Sequence, residues 1–114
     1  MVESDPRAAR VIRENIASIG LPGARLVTDR ADRAVARGPG GPPRDFVFAD
    51  PPYAVGNTDI EQLLTALAQH AWLAPGALVV VERAARSDPM SWPAGYRPDR
   101  CRRYGEAVLW YGLA

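Results

Sequence analysis

Residues 78 to 84 read LVVVERA, and the first four are consecutive apolar side chains. A strand sends successive side chains to opposite faces, so an unbroken apolar run needs cover on both. Strands of this kind belong mainly to parallel sheets flanked by helices. The remaining sequence alternates helical and extended patterns in a way that suits such a sheet. SDPRAARVIRENIASIGLPG offers Ser4 or Asp5 as a cap, Pro6 at the first helical position, and Gly20 as a stop. Between them Ala8, Val11, Ile12, Ile16 and Ile19 recur at helical spacing. ARLVT at 24 to 28 predicts a short strand, DRADRAVARG a short helix, PGGPPR at 39 to 44 a loop, and DFVFA a second strand.

From Asn57 or Thr58 a further helix is expected, with Ile60, Leu63, Leu64, Leu67 and Ala71 on one face, and APGA breaks that pattern before LVVVERA. SDPMSWPAGYRPD reads as a loop and RCRRYGEAVLWYGLA as two strands turning at Gly105. The order predicts one α/β domain over residues 1 to 114, an open doubly wound sheet with helices on both faces and a terminal antiparallel hairpin. Ligands in such sheets bind beyond the carboxyl ends of the strands.

Charge and cysteine content exclude some classes. The formal charge of +1 gives no global attraction to nucleic acid or membrane, and a single cysteine, Cys101, makes no internal disulfide. All 14 basic residues are arginine, which genome composition explains as readily as a need for bidentate phosphate contacts. No apolar stretch reaches the ~18 to 20 residues of a membrane span. MVESDPRAAR has no apolar signal region, so a cytoplasmic location is expected. No cluster of His and Cys suggests a metal, and lone His70 reads as a surface or capping residue at a helix end.

The predicted strand DFVFA runs directly into Asp50-Pro51-Pro52-Tyr53. A carboxylate there accepts hydrogen bonds from an amino group, while prolines with fixed φ hold the turn and its carbonyls in one shape. Tyr53 offers a flat face for a planar base, a contact of about 1–3 kcal/mol in single-stranded nucleic-acid sites. The plain alternative is a turn that merely stops a strand.

DPPY closing an apolar strand resembles the catalytic motif of S-adenosylmethionine-dependent amino methyltransferases, a pattern shared by enzymes acting on DNA adenine, DNA cytosine, RNA guanine or protein glutamine. With its flanks, VIRENIASIGLPGARLV, FVFADPPYAVG, LLTALAQHAWLAPGALVVVER and RRYGEAVLWY, the chain resembles the RsmD family, which methylates the guanine N2 amine in 16S ribosomal RNA. The resemblance implies a Rossmann-like fold, S-adenosylmethionine as cofactor and RNA or the assembling small subunit as partner. It also implies roles. Asp50 and the Pro51 carbonyl would hold the amine on a loop stiffened by Pro52, and Tyr53 would stack on the base. Glu3, with Ser4 beside it, would meet the cofactor's ribose hydroxyls. Taken alone, Glu3 reads better as a solvated acid before a helix N-terminus, favoured there by the dipole. Asp29, Arg30 and Ala31 lie where the family contacts adenine, although Asp29 stands one place earlier than the family's pattern.

Arg83 and Arg86, with Arg97, Arg100, Arg102 and Arg103, suggest a phosphate-binding edge, the alternative being a solvated arginine face. Trp72, Trp92 and Trp110 read as packing residues. The Gly-rich turn that precedes the acidic ribose ligand in the family has no counterpart in this sequence. The resemblance is therefore expected to cover the C-terminal portion of the fold, with the central first strand absent and two inner sheet edges left unpaired. Three readings are consistent with these residues: part of an RNA methyltransferase, of which the 114 residues alone are expected to bind cofactor poorly and turn over little or nothing; a non-catalytic RNA-binding or interaction remnant of that fold; or a DNA amino methyltransferase.

Overall fold

The computed structural model describes residues 1–20, 27–28, 30–52 and 54–114. In chain order the elements are β1 (Val2–Glu3), α1 (Pro6–Ile19), β2 (Val27–Thr28), α2 (Ala31–Ala36), β3 (Arg44–Ala49), α3 (Asn57–Gln69), β4 (Leu73–Ala84), β5 (Arg97–Tyr104) and β6 (Ala107–Leu113). The predicted positions 24 to 26 of the ARLVT strand lie outside the described residues.

α1 begins and ends where its sequence signals stand. Asp5 is the cap, its side chain accepts from the Arg7 N–H at 3.2 Å, Pro6 opens the helix, and Gly20 closes it at φ 69°. α2 buries Ala34 and Val35, and α3 buries Ile60, Leu64 and Leu67 at the predicted spacing. Ala71 departs from that prediction: it lies past the His70 cap, exposed, at φ 62°. His70 is itself exposed and its N–H donates to the Ala66 carbonyl at 2.9 Å.

β3, β4, β6 and β5 form one sheet in that order, with β3 parallel to β4 and both other pairings antiparallel. Val79 and Val81 on β4 are fully buried and join Val35, Ile60, Leu64, Leu67 and Met90 in the core, with Val47, Ala49, Trp72, Trp92 and Trp110 packed around them. β4 also extends back through Pro75 and Gly76, where the sequence reads as a break. Gly76 takes φ 77°, which costs glycine no Cβ strain, and its N–H donates to the Ala114 carbonyl at 3.1 Å. The terminal hairpin turns at Gly105, φ 58°.

Cover on the four-stranded sheet is one-sided where β3 runs. Val47 and Ala49 face the core beneath α3, whereas Phe46 and Phe48, pointing to the other face, are 56% and 51% exposed. Val11 and Ile19 of α1 are likewise 52% and 66% exposed, so the apolar stripe of that helix is only partly buried. β1 and β2 make a separate two-stranded parallel sheet. Among the described residues, β1 pairs only with β2 and β3 only with β4, leaving the two inner edges open as the sequence leads one to expect. The described helices include none long and apolar enough to cross a membrane.

Candidate functional site

Asp50 follows the last residue of β3, at the carboxyl edge of the parallel β3–β4 pair. It is exposed, Pro51 is half-buried and Pro52 exposed, so the start of the quartet faces solvent at the strand end. The Pro52 carbonyl accepts from the Val55 N–H at 3.0 Å, closing a turn that leads into α3 at Asn57. Tyr53 lies outside the described residues.

The loop is anchored from below by a residue that the sequence reading assigns elsewhere. Arg83 is only 3% exposed, which removes it from any surface phosphate patch. On β4 it shares the inward face of Val79 and Val81, and its Nη2 donates to the Val55 carbonyl at 2.7 Å and to Asn57 Oδ1 at 3.2 Å. Asn57 Nδ2 in turn donates to the carbonyls of Asp88 and Pro89 at 3.0 and 3.2 Å. One buried guanidinium therefore ties the quartet's loop, the start of α3 and the 88–89 loop together. Its Nε and Nη1 have no hydrogen-bond partner among the described residues.

Glu82 stands beside Asp50, a neighbour that the sequence alone does not reveal. Ala49 pairs with Val81, so one position further on Asp50 and Glu82 stand side by side on the same face. Their carboxyl groups are within hydrogen-bonding reach, and that contact, then partial burial, then the charge of Asp50, push the Glu82 carboxyl above its ordinary range. The signal available in the sequence is an acid at the end of the strand expected to neighbour DFVFA, but it becomes specific only once the register is known.

On the expected cofactor side, Glu3 is half-buried at the end of β1 and its Oε1 accepts from the Asp5 N–H at 3.0 Å, just ahead of α1. Ser4 is exposed beside it. Arg30 caps α2 with extended backbone and pairs with Asp32 at 3.1 Å, with Ala31 exposed as the first helical residue. Asp29 lies outside the described residues.

The remaining arginines are exposed but divided. Arg86 follows β4, while Arg100 and Arg102 share one face of β5 and Arg103 takes the other. Arg100 lies over the Tyr111 ring at 4.9 Å, and Arg103 Nε donates to the Gly105 carbonyl at 3.1 Å. Among the described residues, no group of three His, Cys, Asp or Glu side chains is arranged to hold a metal ion.

Known proteins resemble this chain in sequence and in fold. The family model described as Conserved hypothetical protein 95 matches residues 1–112. Ribosomal RNA small subunit methyltransferase D of Escherichia coli K12 is 28% identical over 108 residues, covering 95% of this chain and 52% of that protein. The chain thus spans about half the length of the curated relatives it matches. A putative methyltransferase of Escherichia coli, yhhF, superposes with a TM-score of 0.81 at 28% identity over 98% of this chain and 59% of that one. A putative methylase of Haemophilus influenzae gives a TM-score of 0.82 at 22% identity over 98% and 69%, which speaks to the fold. The fold is that of the S-adenosylmethionine-dependent methyltransferases, in incomplete form. The chain belongs to the Conserved hypothetical protein 95 family, the RsmD family of methyltransferases.

Proposed function

We propose that this chain carries the substrate half of an S-adenosylmethionine-dependent methyltransferase site for the exocyclic N2 amine of a guanine in small-subunit ribosomal RNA. The observation that carries the reading is Asp50 with two prolines at the carboxyl edge of a parallel strand pair, on a loop held by buried Arg83. Asp50 and the Pro51 carbonyl accept hydrogen bonds from the amine, and Tyr53 stacks on the base. An amine conjugated to its ring is a poor nucleophile; acceptors that draw its hydrogens out of the ring plane localise the lone pair on nitrogen, and alignment lowers the entropic barrier.

The cofactor supplies, when bound, a methyl group on a sulfonium. Glu3 fits the ribose end by its chemistry, because a carboxylate has about four acceptor sites and the Asp5 N–H engages one oxygen. Ser4, Asp29, Arg30, Ala31 and Asp50 complete the proposed cofactor contacts. For RNA, Arg86, Arg100 and Arg102 are the proposed phosphate contacts, Arg103 serving from the opposite face of β5. A ribosomal substrate makes the cytoplasm the place of action.

The test is transfer of labelled methyl from S-adenosylmethionine to small-subunit particles, with duplex DNA as the competing substrate. Label at guanine N2 that disappears in Asp50→Ala supports the reading; label in DNA alone overturns it in favour of a DNA amino methyltransferase. One observation favours a second reading, an RNA-binding module without turnover: β1 with Glu3 and β3 with Asp50 stand in separate sheets. RNA binding that survives Asp50→Ala, with no transfer by either protein, is the result that reading requires.

A further inference from the structure

Strand register, rather than motif, brings Glu82 to the site. The β3–β4 ladder runs Phe46 with Leu78, Phe48 with Val80 and Ala49 with Val81. Continued one step, it sets Asp50 and Glu82 on the exposed-phenylalanine face at the strand ends, about 5 Å apart in backbone. Across β4, Glu82 faces Leu109 of β6, which carries no charge, and beyond it Arg102 of β5. Two strand spacings put that arginine's backbone about 10 Å away. Arg83 points to the opposite face and is committed to Val55 and Asn57. The near neighbour of the Glu82 carboxyl is therefore the Asp50 carboxyl, and the two are within hydrogen-bonding reach.

We propose that Asp50 and Glu82 act as one acid–base unit, taking up the proton that the substrate amine releases and sharing it between them. This rests on the reading of Asp50 as the residue that grips the amine. Once nitrogen has formed its new bond to carbon it carries one hydrogen too many. The N–H bond breaks, its electron pair stays on nitrogen, and the proton moves to the doubly ionised pair, whose charge falls from two negatives to one. Two adjacent carboxylates repel, so the first proton they take is held more firmly than by either alone. Glu82 is displaced in this direction. The pair then returns its proton to water at the exposed edge.

The test has two arms on the whole 114-residue chain. Titration of carbon-13-labelled glutamate carboxyls reads the pair without any methyl transfer. The expected result is a Glu82 midpoint above the ordinary 4.5, falling back toward it in Asp50→Asn. A Glu82 midpoint at the ordinary value, or one that Asp50→Asn leaves unmoved, overturns the proposal. In the second arm, Glu82→Gln shifts the acid limb of the methyl-transfer rate profile to lower pH; an unchanged limb overturns the acceptor role. A coupled titration with no transfer at any pH establishes the shared proton but overturns the acceptor role in this chain, while the reading of Asp50 stands or falls separately on binding of guanine RNA against inosine RNA.

Discussion

Replacing Arg83 with methionine deletes a buried cation while keeping most of its apolar stem, and two opposing terms set the outcome. The loss is the pair of bonds from Nη2 to the Val55 carbonyl and Asn57 Oδ1, at 2.7 and 3.2 Å. Hydrogen bonds to a charged group contribute about 1.5–3 kcal/mol each. Against this, Nε and Nη1 are buried without a partner among the described residues. Each such group costs about 1–3 kcal/mol, and exchanging buried ionic groups for apolar ones is often neutral or stabilising. The terms nearly cancel, so global stability should stay within about 2 kcal/mol of the parent. The local effect is larger, because the loop after Asp50 loses its tether. Urea unfolding gives the first quantity, and hydrogen exchange of the Val55 amide, bonded to Pro52 at 3.0 Å, gives the second. Loss of one charged bond corresponds to exchange faster by on the order of 10- to 100-fold. A variant destabilised by more than about 4 kcal/mol with Val55 exchange unchanged would refute the reasoning, since Arg83 would then hold the core and not the loop.

Two further perturbations test the packing that supports the site. A Cβ added at Gly112 would stand 2.8 Å from three atoms of the Trp92 ring, so Gly112→Ala should lower stability by about 1–3 kcal/mol in denaturant unfolding. The Tyr96 hydroxyl donates to the Leu64 carbonyl, and burial raises its pKa from 10.0 to about 12. The unfolded chain releases that proton first, so wild-type stability should decline as pH rises from about 10 toward 12. Tyr96→Phe should lose about 0.5–1.5 kcal/mol at neutral pH and lack this part of the alkaline decline, as unfolding midpoints across that range would report.

Much of the fold is legible because its signals are local. Asp5, Pro6 and Gly20 bound α1 by their own conformational preferences, and Gly105 marks the β5–β6 turn in the same way. Gly76 misleads for the same reason: next to Pro75 it suggests a break, whereas the Gly76 N–H donates to the Ala114 carbonyl and the Ala114 N–H to the Ala77 carbonyl, and β4 runs through. At the site, Asp50 stands out as a carboxylate closing an apolar strand. Arg83 looks like a surface cation in composition, yet its place two and four residues beyond Val81 and Val79 puts it on their buried face. Glu82 matters only through its neighbour on another strand, and no pattern within LVVVERA specifies that register.

The central claim is that Asp50 grips a base amine, and binding tests it independently of turnover. The measurement compares a short RNA containing guanine at the target position with the same RNA carrying inosine, which lacks the N2 amine. Hydrogen bonds from that amine to a carboxylate, at about 1.5–3 kcal/mol, predict guanine RNA binding tighter on the order of 10- to 100-fold. In Asp50→Ala the preference should fall to what the Pro51 carbonyl alone supplies, about 0.5–1.5 kcal/mol or on the order of 2- to 10-fold. Equal affinity of the wild-type chain for guanine and inosine RNAs would contradict the account.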